Sequence, residues 1–276
     1  MPISFSTISC PDFTLPQIAR AREEHGYDAV ELYALEGERL TMNRLADQLT
    51  EVRRELRRTP ISCINSWAAL SSPDPTERRA QEERVTAAVR MAAELGAPVV
   101  KAFGGELPAD RARSDVLDYM AESISRILPS ARRLGVRIVV ETHDGFSRGE
   151  SVGELLARID DRYFGALWDV HHPYRHGESV SRTAAAIGDR VLHAHVKDAV
   201  RDGDGWRFVL LDKGELPVRP MIRALTERGF TGYLSLDWEL MWHPEIAAPD
   251  VALPWFADRM RSALSRTGEG LQTDAN

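Results

Sequence analysis

The chain has 276 residues, 43% of them hydrophobic, and a formal net charge of −7. That length and apolar content suit one large core, and a single α/β barrel of this size is ordinary, so one domain is expected. The acidic balance argues against nucleic acid or an anionic membrane as a partner, since both want a basic patch, and no run of about 18 apolar residues is available to cross a bilayer. Cys10 and Cys63 are too few for a disulfide framework and read as small packing residues. The opening MPISFSTISC lacks a basic region followed by a long apolar segment, so a cytoplasmic protein with free thiols is expected.

The first strand reads ISFST (Ile3 to Thr7), and a helix follows from Leu15 to Glu24, closed by His25 and Gly26. AVELY (Ala29 to Tyr33) is a second strand. Between Asn43 and Arg57 the apolar residues Leu45, Leu49, Val52 and Leu56 recur at spacings of three and four, which predicts an amphipathic helix. Pro60 separates it from the strand ISCIN (Ile61 to Asn65). A helix starts at Asp74 or Thr76 and stops at Gly96, and PVVKAF (Pro98 to Phe103) is the fourth strand. After the GGELP loop a long helix runs from about Ala109 to Leu134. The alternation continues through strand RIVVE, helix SVGELLARI, strand FGALWD, helix SVSRTAAAI, strand VLHAHV, helix PVRPMIRALTERG and strand YLSLD. One or two helices close the chain in PEIAAPDVALPWFADRMRSAL.

Strict strand–helix alternation implies parallel strands with right-handed crossovers, and eight units in about 250 residues is the size of a closed (βα)8 TIM barrel. An open doubly wound sheet would carry a glycine-rich phosphate loop after its first strand, and ISCPDF has none. A single barrel is therefore expected over residues 1–265, with the polar tail 266–276 disordered.

Four consecutive strands end in a residue able to bind a metal: Glu141, Asp169, His195 and Asp237. In a parallel barrel reactive groups gather at the carboxyl ends of the strands, which lie about 4.8 Å apart, so four adjacent ends can converge on one ion. Three carboxylates and an imidazole brought together would repel and shift one another's pKa unless a cation sat between them. Each residue alone has an ordinary reading: Glu141 as a solvated strand end, Asp169 as a cap for the turn into HHPY, His195 as a core histidine beside His193. Their recurrence on four neighbouring strands favours one divalent metal ion, and carboxylate oxygen with imidazole suits Mn, Mg, Co or Zn.

The motifs ETHD, WDVHHP, HAHVKD and LSLDWELMWHPE resemble the strand ends of the sugar isomerase and epimerase family with a xylose-isomerase-like barrel, a family that includes inosose dehydratases and an endonuclease IV branch. The resemblance spans essentially the whole barrel, with the specific motifs in its second half. It implies a single divalent metal, commonly Mn, held by Glu141, Asp169, His195 and an acidic residue on strand eight. It also implies that His172, three residues after Asp169, contacts substrate oxygen. In the family's epimerases the glutamates ending strands five and eight carry the proton on opposite faces of the sugar, which implies catalytic roles here for Glu141 and Asp237 beside His172. This chain departs from the pattern in carrying Asp237, one methylene shorter, followed by Trp238 and Glu239. Asp237 is the favoured ligand, with Glu239 the alternative if the strand continues.

The expected substrate is a small sugar, ketose or cyclitol from which Glu141 removes a proton alpha to a carbonyl, giving an enediolate. Return of the proton makes an epimer or an isomer. Loss of a beta hydroxyl, with His172 or Lys197 as acid, would instead make the protein a lyase or dehydratase. A phosphodiesterase of the endonuclease IV type would want more metal ions and a basic groove, and a non-catalytic sugar-binding barrel has only Asp237 in its favour. Candidate substrate-binding residues are Lys101, His143, Lys197, Trp67, Arg201 and Glu239, with Glu106 and Trp168 as further lining. No glycine-rich anion nest follows strands seven and eight, which favours a substrate without phosphate. The segment PWFADRMRSAL offers apolar surface for a homodimer.

Overall fold

The computed structural model describes residues 1–270. Its strands in chain order are β1 (Ile3–Ser6), β2 (Ala29–Leu32), β3 (Ala34–Leu35), β4 (Glu38–Arg39), β5 (Ile61–Ala69), β6 (Val99–Phe103), β7 (Arg137–Glu141), β8 (Phe164–Asp169), β9 (Val191–Val196), β10 (Asp198–Asp202), β11 (Gly205–Val209) and β12 (Leu234–Leu236). Eight of these close into a barrel in the order β1, β2, β5, β6, β7, β8, β9, β12, with β12 pairing back onto β1. Every neighbouring pair in the ring is parallel. The helices are α1 (Leu15–Glu24), α2 (Met42–Glu55), α3 (Pro75–Leu95), α4 (Arg113–Leu134), α5 (Gly149–Leu156), α6 (His171–Arg175), α7 (Val180–Ile187), α8 (Val218–Glu227) and α9 (Pro249–Gly270). This is the (βα)8 barrel expected from the alternation.

Local signals set the helix ends. Asp74 caps α3, its Oδ1 accepting from the Thr76 amide at 2.8 Å, and Gly96 ends the helix at φ 71 in the left-handed region that glycine adopts without strain. Gly135 does the same for α4 at φ 72. The period-two alternation of the strands divides the core in two. Val100, Ile138, Val140 and Ala166 face outward into the main core beneath the helices, whereas Cys63, Val99, Val139 and Leu167 form a separate apolar plug inside the ring. The next inward residue up each of β6, β7 and β8 is Lys101, Glu141 or Asp169, so the plug is the floor on which the polar site stands.

Several elements differ from the sequence reading. β5 runs on to Ala69 because its register against β6 shifts between Asn65 and Ala69, and Trp67 sits in that irregularity at φ 57. KDAVRDGDGW, the stretch around Arg201 that the alternation leaves between a strand and a helix, folds as the antiparallel hairpin of β10 and β11, and a second small hairpin forms from β3 and β4. α4 starts at Arg113, four residues later than expected, and tolerates Pro129 inside it. The segment before Pro249 is turn, so one final helix closes the chain; it continues through residues 266–270, which read as tail, while 271–276 lie outside the described residues. Among the described residues no helix is long and apolar enough to cross a membrane.

Gly165 shows how little room the barrel wall leaves. A Cβ there would lie 2.4 Å from the Arg190 carbonyl oxygen and 2.6 Å from Leu192 Cδ1. Gly165→Ala is expected to cost about 1–3 kcal/mol through overpacking of β8 against β9. Equilibrium denaturant unfolding reads this directly, and an unchanged midpoint would contradict the packing described.

Candidate metal centre and active-site cleft

Glu141 and Asp169 end β7 and β8, His195 is the penultimate residue of β9 and Asp237 directly follows β12, and parallel pairing brings these strand ends side by side. One ligand atom from each lies within 4.8 Å of all the others, and all four residues are buried. His195 Nδ1 is the inward-facing nitrogen: it lies 2.9 Å from Glu141 Oε1, 3.6 Å from Asp237 Oδ2 and 3.8 Å from Asp169 Oδ2. Asp169 does two jobs with its two oxygens. Oδ1 accepts from the backbone amides of His171 at 2.7 Å and His172 at 3.3 Å, capping α6, which leaves Oδ2 for the cluster. Glu239 follows the end of β12 by three residues and stands at the cleft, outside the four-residue cluster.

Two lysines expected to touch substrate are instead committed to these carboxylates. Lys101 Nζ donates to Glu141 Oε2 at 2.7 Å and to the Tyr33 hydroxyl at 3.2 Å. Lys197 Nζ lies 2.9 Å from Asp169 Oδ2, 2.8 Å from Asp237 Oδ2 and 2.6 Å from Glu239 Oε1. Both side chains are 1% exposed. Burial alone would raise the Glu141 carboxyl, but the Lys101 ammonium and His195 overcome it and hold it well below the usual range. Burial would likewise lower His195, yet Asp237, Glu31 and Glu141 reverse the effect and hold it well above its ordinary value.

Sequence reasoning missed Glu31. Its carboxylate is fully buried on β2, and it accepts from His195 Nε2 at 3.1 Å and from His193 Nε2 at 3.0 Å. A carboxylate on the second nitrogen fixes the tautomer of a metal-binding histidine, leaving Nδ1 free as the ligand. The signal was present in AVEL, where one acidic residue interrupts an otherwise apolar buried strand. Glu31, Cys63 and His193 also come within mutual ligand distance, one layer below.

The charges can be counted. Four buried carboxylates, Glu31, Glu141, Asp169 and Asp237, face two buried ammonium groups, Lys101 and Lys197. The more exposed Glu239 adds one negative charge on Lys197, and the imidazole of His195, favoured in its protonated form, adds one positive. The shortfall is two positive charges, the charge of one divalent cation. Asp237 Oδ1 is buried without a hydrogen-bond partner, and Asp169 Oδ2 has none beyond its ion contacts with Lys197 and His195. Unsatisfied buried carboxylate oxygens are costly, and an oxygen-rich set with one imidazole is the donor chemistry a cation such as Mn2+ takes. The residues present therefore fit a divalent metal.

Above the cluster opens a cleft of about 230 Å3, to which Glu141, Asp237 and Glu239 contribute acidic groups. Tyr33, Trp67, Phe103 and Trp242 wall it, with the Trp67 ring edge-on to Tyr33 at 4.6 Å. Trp242 is one of two large hydrophobic residues left exposed among those described. His143 also lines it, its Nδ1 2.7 Å from Asp144 Oδ1 in an ion contact; burial would lower this imidazole, but Asp144 and Glu141 raise it. His172 stacks edge-on to His143 at 4.3 Å with neither ring nitrogen partnered, and burial followed by the Lys197 charge holds it well below its ordinary value. Three candidates are not brought to the cleft. Arg201 is exposed on β10 with its guanidinium 5.0 Å over Trp206, Glu106 is exposed in its loop, and Trp168 packs in the outer core because its position alternates with Asp169.

Residues 19–259 match the family described as xylose isomerase-like TIM barrel, and the chain belongs to that family. Solved structures share its fold at low identity. The IOLI protein, whose structure holds a bound zinc atom, superposes with a TM-score of 0.80 at 16% identity, covering 97% of this chain and 99% of that one. A D-tagatose 3-epimerase-like protein gives 0.76 at 19%, covering 98% and 100%. The probable 3-DHS dehydratase AsbF of Bacillus anthracis, involved in petrobactin synthesis, gives 0.76 at 19%, covering 95% and 99%. Among curated proteins none matches the sequence.

A cation at Nδ1 must displace the proton that His195 holds more tightly than usual in the folded protein. Apparent affinity for Mn2+ should therefore fall as pH drops through neutrality, by about tenfold per unit. Calorimetric titration between about pH 6 and 8 measures this, and Glu31→Gln should weaken binding about 10–100-fold across the range. An affinity independent of pH, or untouched by Glu31→Gln, would contradict the assignment.

Proposed function

We propose that the protein is a divalent-metal-dependent isomerase or epimerase of a small sugar, ketose or cyclitol, moving a proton alpha to a carbonyl through an enediolate. The observation that carries this is the convergence of Glu141, Asp169, His195 and Asp237, short of two positive charges, at the foot of a cleft of monosaccharide size. Epimerase names among proteins of the same fold support it. When bound, the metal, Mn2+ by preference, supplies Lewis-acid stabilisation of developing negative charge on substrate oxygen.

The protein's own groups do the rest. Glu141 is the proton acceptor: it lines the cleft, and Lys101 keeps it ionised at neutral pH. Glu141, protonated by the abstraction, can give its proton back to the enediolate for isomerisation. For epimerisation Asp237, which lines the cleft beside β12, takes up a proton from solvent and delivers it from its own side while Glu141 keeps the one it removed. Tyr33 and Trp67 exclude water and seat the substrate's apolar face, as aromatic rings do. His143 is the imidazole positioned to donate to a substrate hydroxyl, because its carboxylate neighbours favour the protonated form.

The dehydratase alternative needs an acid for the leaving hydroxyl. His172 is held neutral, and Lys197 is shared among three carboxylates, so neither is free to give up a proton readily. This argues against His172 and Lys197 as that acid and leaves the protonated His143, so what favours isomerisation or epimerisation is the pair of carboxylates, Glu141 and Asp237, lining the cleft.

Metal-loaded protein in D2O, offered a panel of ketoses and keto-cyclitols, should place deuterium alpha to the carbonyl, and Glu141→Gln should slow that exchange about 10²–10⁴-fold. NMR of the products separates epimer, isomer and alkene. Exchange that persists in Glu141→Gln would remove Glu141 as the base, and an alkene product would overturn the isomerase reading.

A further inference from the structure

The cleft has two chemically opposite ends. At its foot lies an orphaned acceptor, Asp237 Oδ1, close to Asp169 Oδ2, which has ion contacts but no hydrogen bond. At its rim lie orphaned donors. Trp67 Nε1 is buried with no hydrogen-bond partner, and Arg39 stands beside it with its guanidinium carbon 4.6 Å from the centroid of the Trp67 ring. Of the cationic side chains lining the cleft, His143 is paired with Asp144, whereas Arg39 has no carboxylate within ion-pair range among the described residues.

The rest of the hairpin explains why Arg39 is left free. β3 and β4 join through Glu36 and Gly37, both at positive φ, and the turn is pinned where the Gly37 amide donates to the Pro11 carbonyl at 2.7 Å. The two acidic residues nearest Arg39 in sequence, Glu36 and Glu38, are both taken by Arg44, at 2.9 and 3.2 Å. Arg44 also donates to the Leu35 carbonyl at 2.9 Å, so one arginine braces the hairpin and absorbs its negative charge. Arg39 is paired in register with Ala34, whose amide donates to Thr7 Oγ1 at 2.9 Å, so its backbone is anchored to the barrel mouth. A planar guanidinium stacked on an indole is pre-organised, presenting its edge of N–H donors for a planar anion.

We infer that Arg39, held over the Trp67 ring, forms a subsite for a carboxylate carried by the substrate at the end away from the reacting carbons. This rests on the reading of the cleft as a sugar site and narrows it to a polyhydroxylated acid. One guanidinium, with two parallel N–H donors on its edge, matches a planar monoanion. A phosphate dianion would call for further positive charge, and Lys101 and Lys197 are already committed to carboxylates.

The test is calorimetric titration of the Mn2+-loaded protein with D-glucuronate and D-glucose, which differ only in carboxylate against hydroxymethyl. Wild type should bind the uronate about tenfold or more tightly than the neutral sugar, the margin expected of a charge-assisted hydrogen bond. Arg39→Gln should collapse that margin and Arg39→Lys keep part of it. Because Arg39 is exposed, circular dichroism should show both variants folded. Equal affinities in wild type, no detectable uronate binding, or a margin that persists in Arg39→Gln because the carboxylate goes to the metal would each overturn the inference. The outcome is separable from the proposed reaction. Absent deuterium exchange with an Arg39-dependent margin intact retires the reaction and keeps the subsite, while exchange with no such margin does the reverse.

Discussion

Buried negative charge at the mouth of the barrel is the constraint on which the rest of the site depends. Parallel strand pairing places Glu141, Asp169 and Asp237 on neighbouring strand ends, and Glu31 enters from across the ring beneath His195. Ionised groups out of water are expensive unless paired and hydrogen-bonded. Lys101 and Lys197 meet half of that need, and the backbone amides of α6 satisfy one oxygen of Asp169. Proton capture by His195 meets part of what remains, which is why its imidazole is held above its ordinary value. A divalent cation in the same place would complete the balance and free that proton.

The same constraint fixes what the neighbouring side chains are available to do. A lysine locked onto a carboxylate orients and ionises it, so Lys101 and Lys197 shape the site rather than greet a ligand. The groups with hydrogen-bonding capacity to spare lie higher in the cleft, on His143, Trp67 and Arg39, along walls made of aromatic rings. A ligand in this cleft would meet charge at one end, ring faces along its length and donors at the other. Trp67 reaches this position only because β5 breaks register and its backbone adopts φ 57, a conformation unfavourable for a bulky residue and found where a site demands it.

Much of this was legible in the sequence, for identifiable reasons. Eight alternations of apolar runs with amphipathic stretches specify the barrel, because period two and period 3.6 are hard to confuse over so many repeats. The four clustered residues, Glu141, Asp169, His195 and Asp237, were visible because each lies at the end of an apolar run. Glu31 was not, because a single glutamate inside AVEL carries no spacing signal of its own. Arg39 was missed because β3 and β4 are two residues each, too short to leave a pattern. Arg201 looked plausible in a loop near the seventh strand, but that stretch folds as a hairpin and holds the arginine over Trp206, away from the cleft. Asp237 and Glu239 share parity, so sequence alone left both open; β12 ends at Leu236, and only Asp237 remains close enough to the ring to join the cluster.

The central claim is that one divalent cation supplies the charge this site lacks. The most direct test is to strip the protein with chelator, add back Mn2+, and measure bound metal per chain together with the thermal unfolding midpoint at neutral pH. The account predicts about one ion per chain and a midpoint that climbs with metal concentration, as for any ligand that binds the folded state alone, with both effects lost in Asp169→Asn. No bound metal, and a midpoint indifferent to Mn2+, Zn2+ or Co2+, would contradict it.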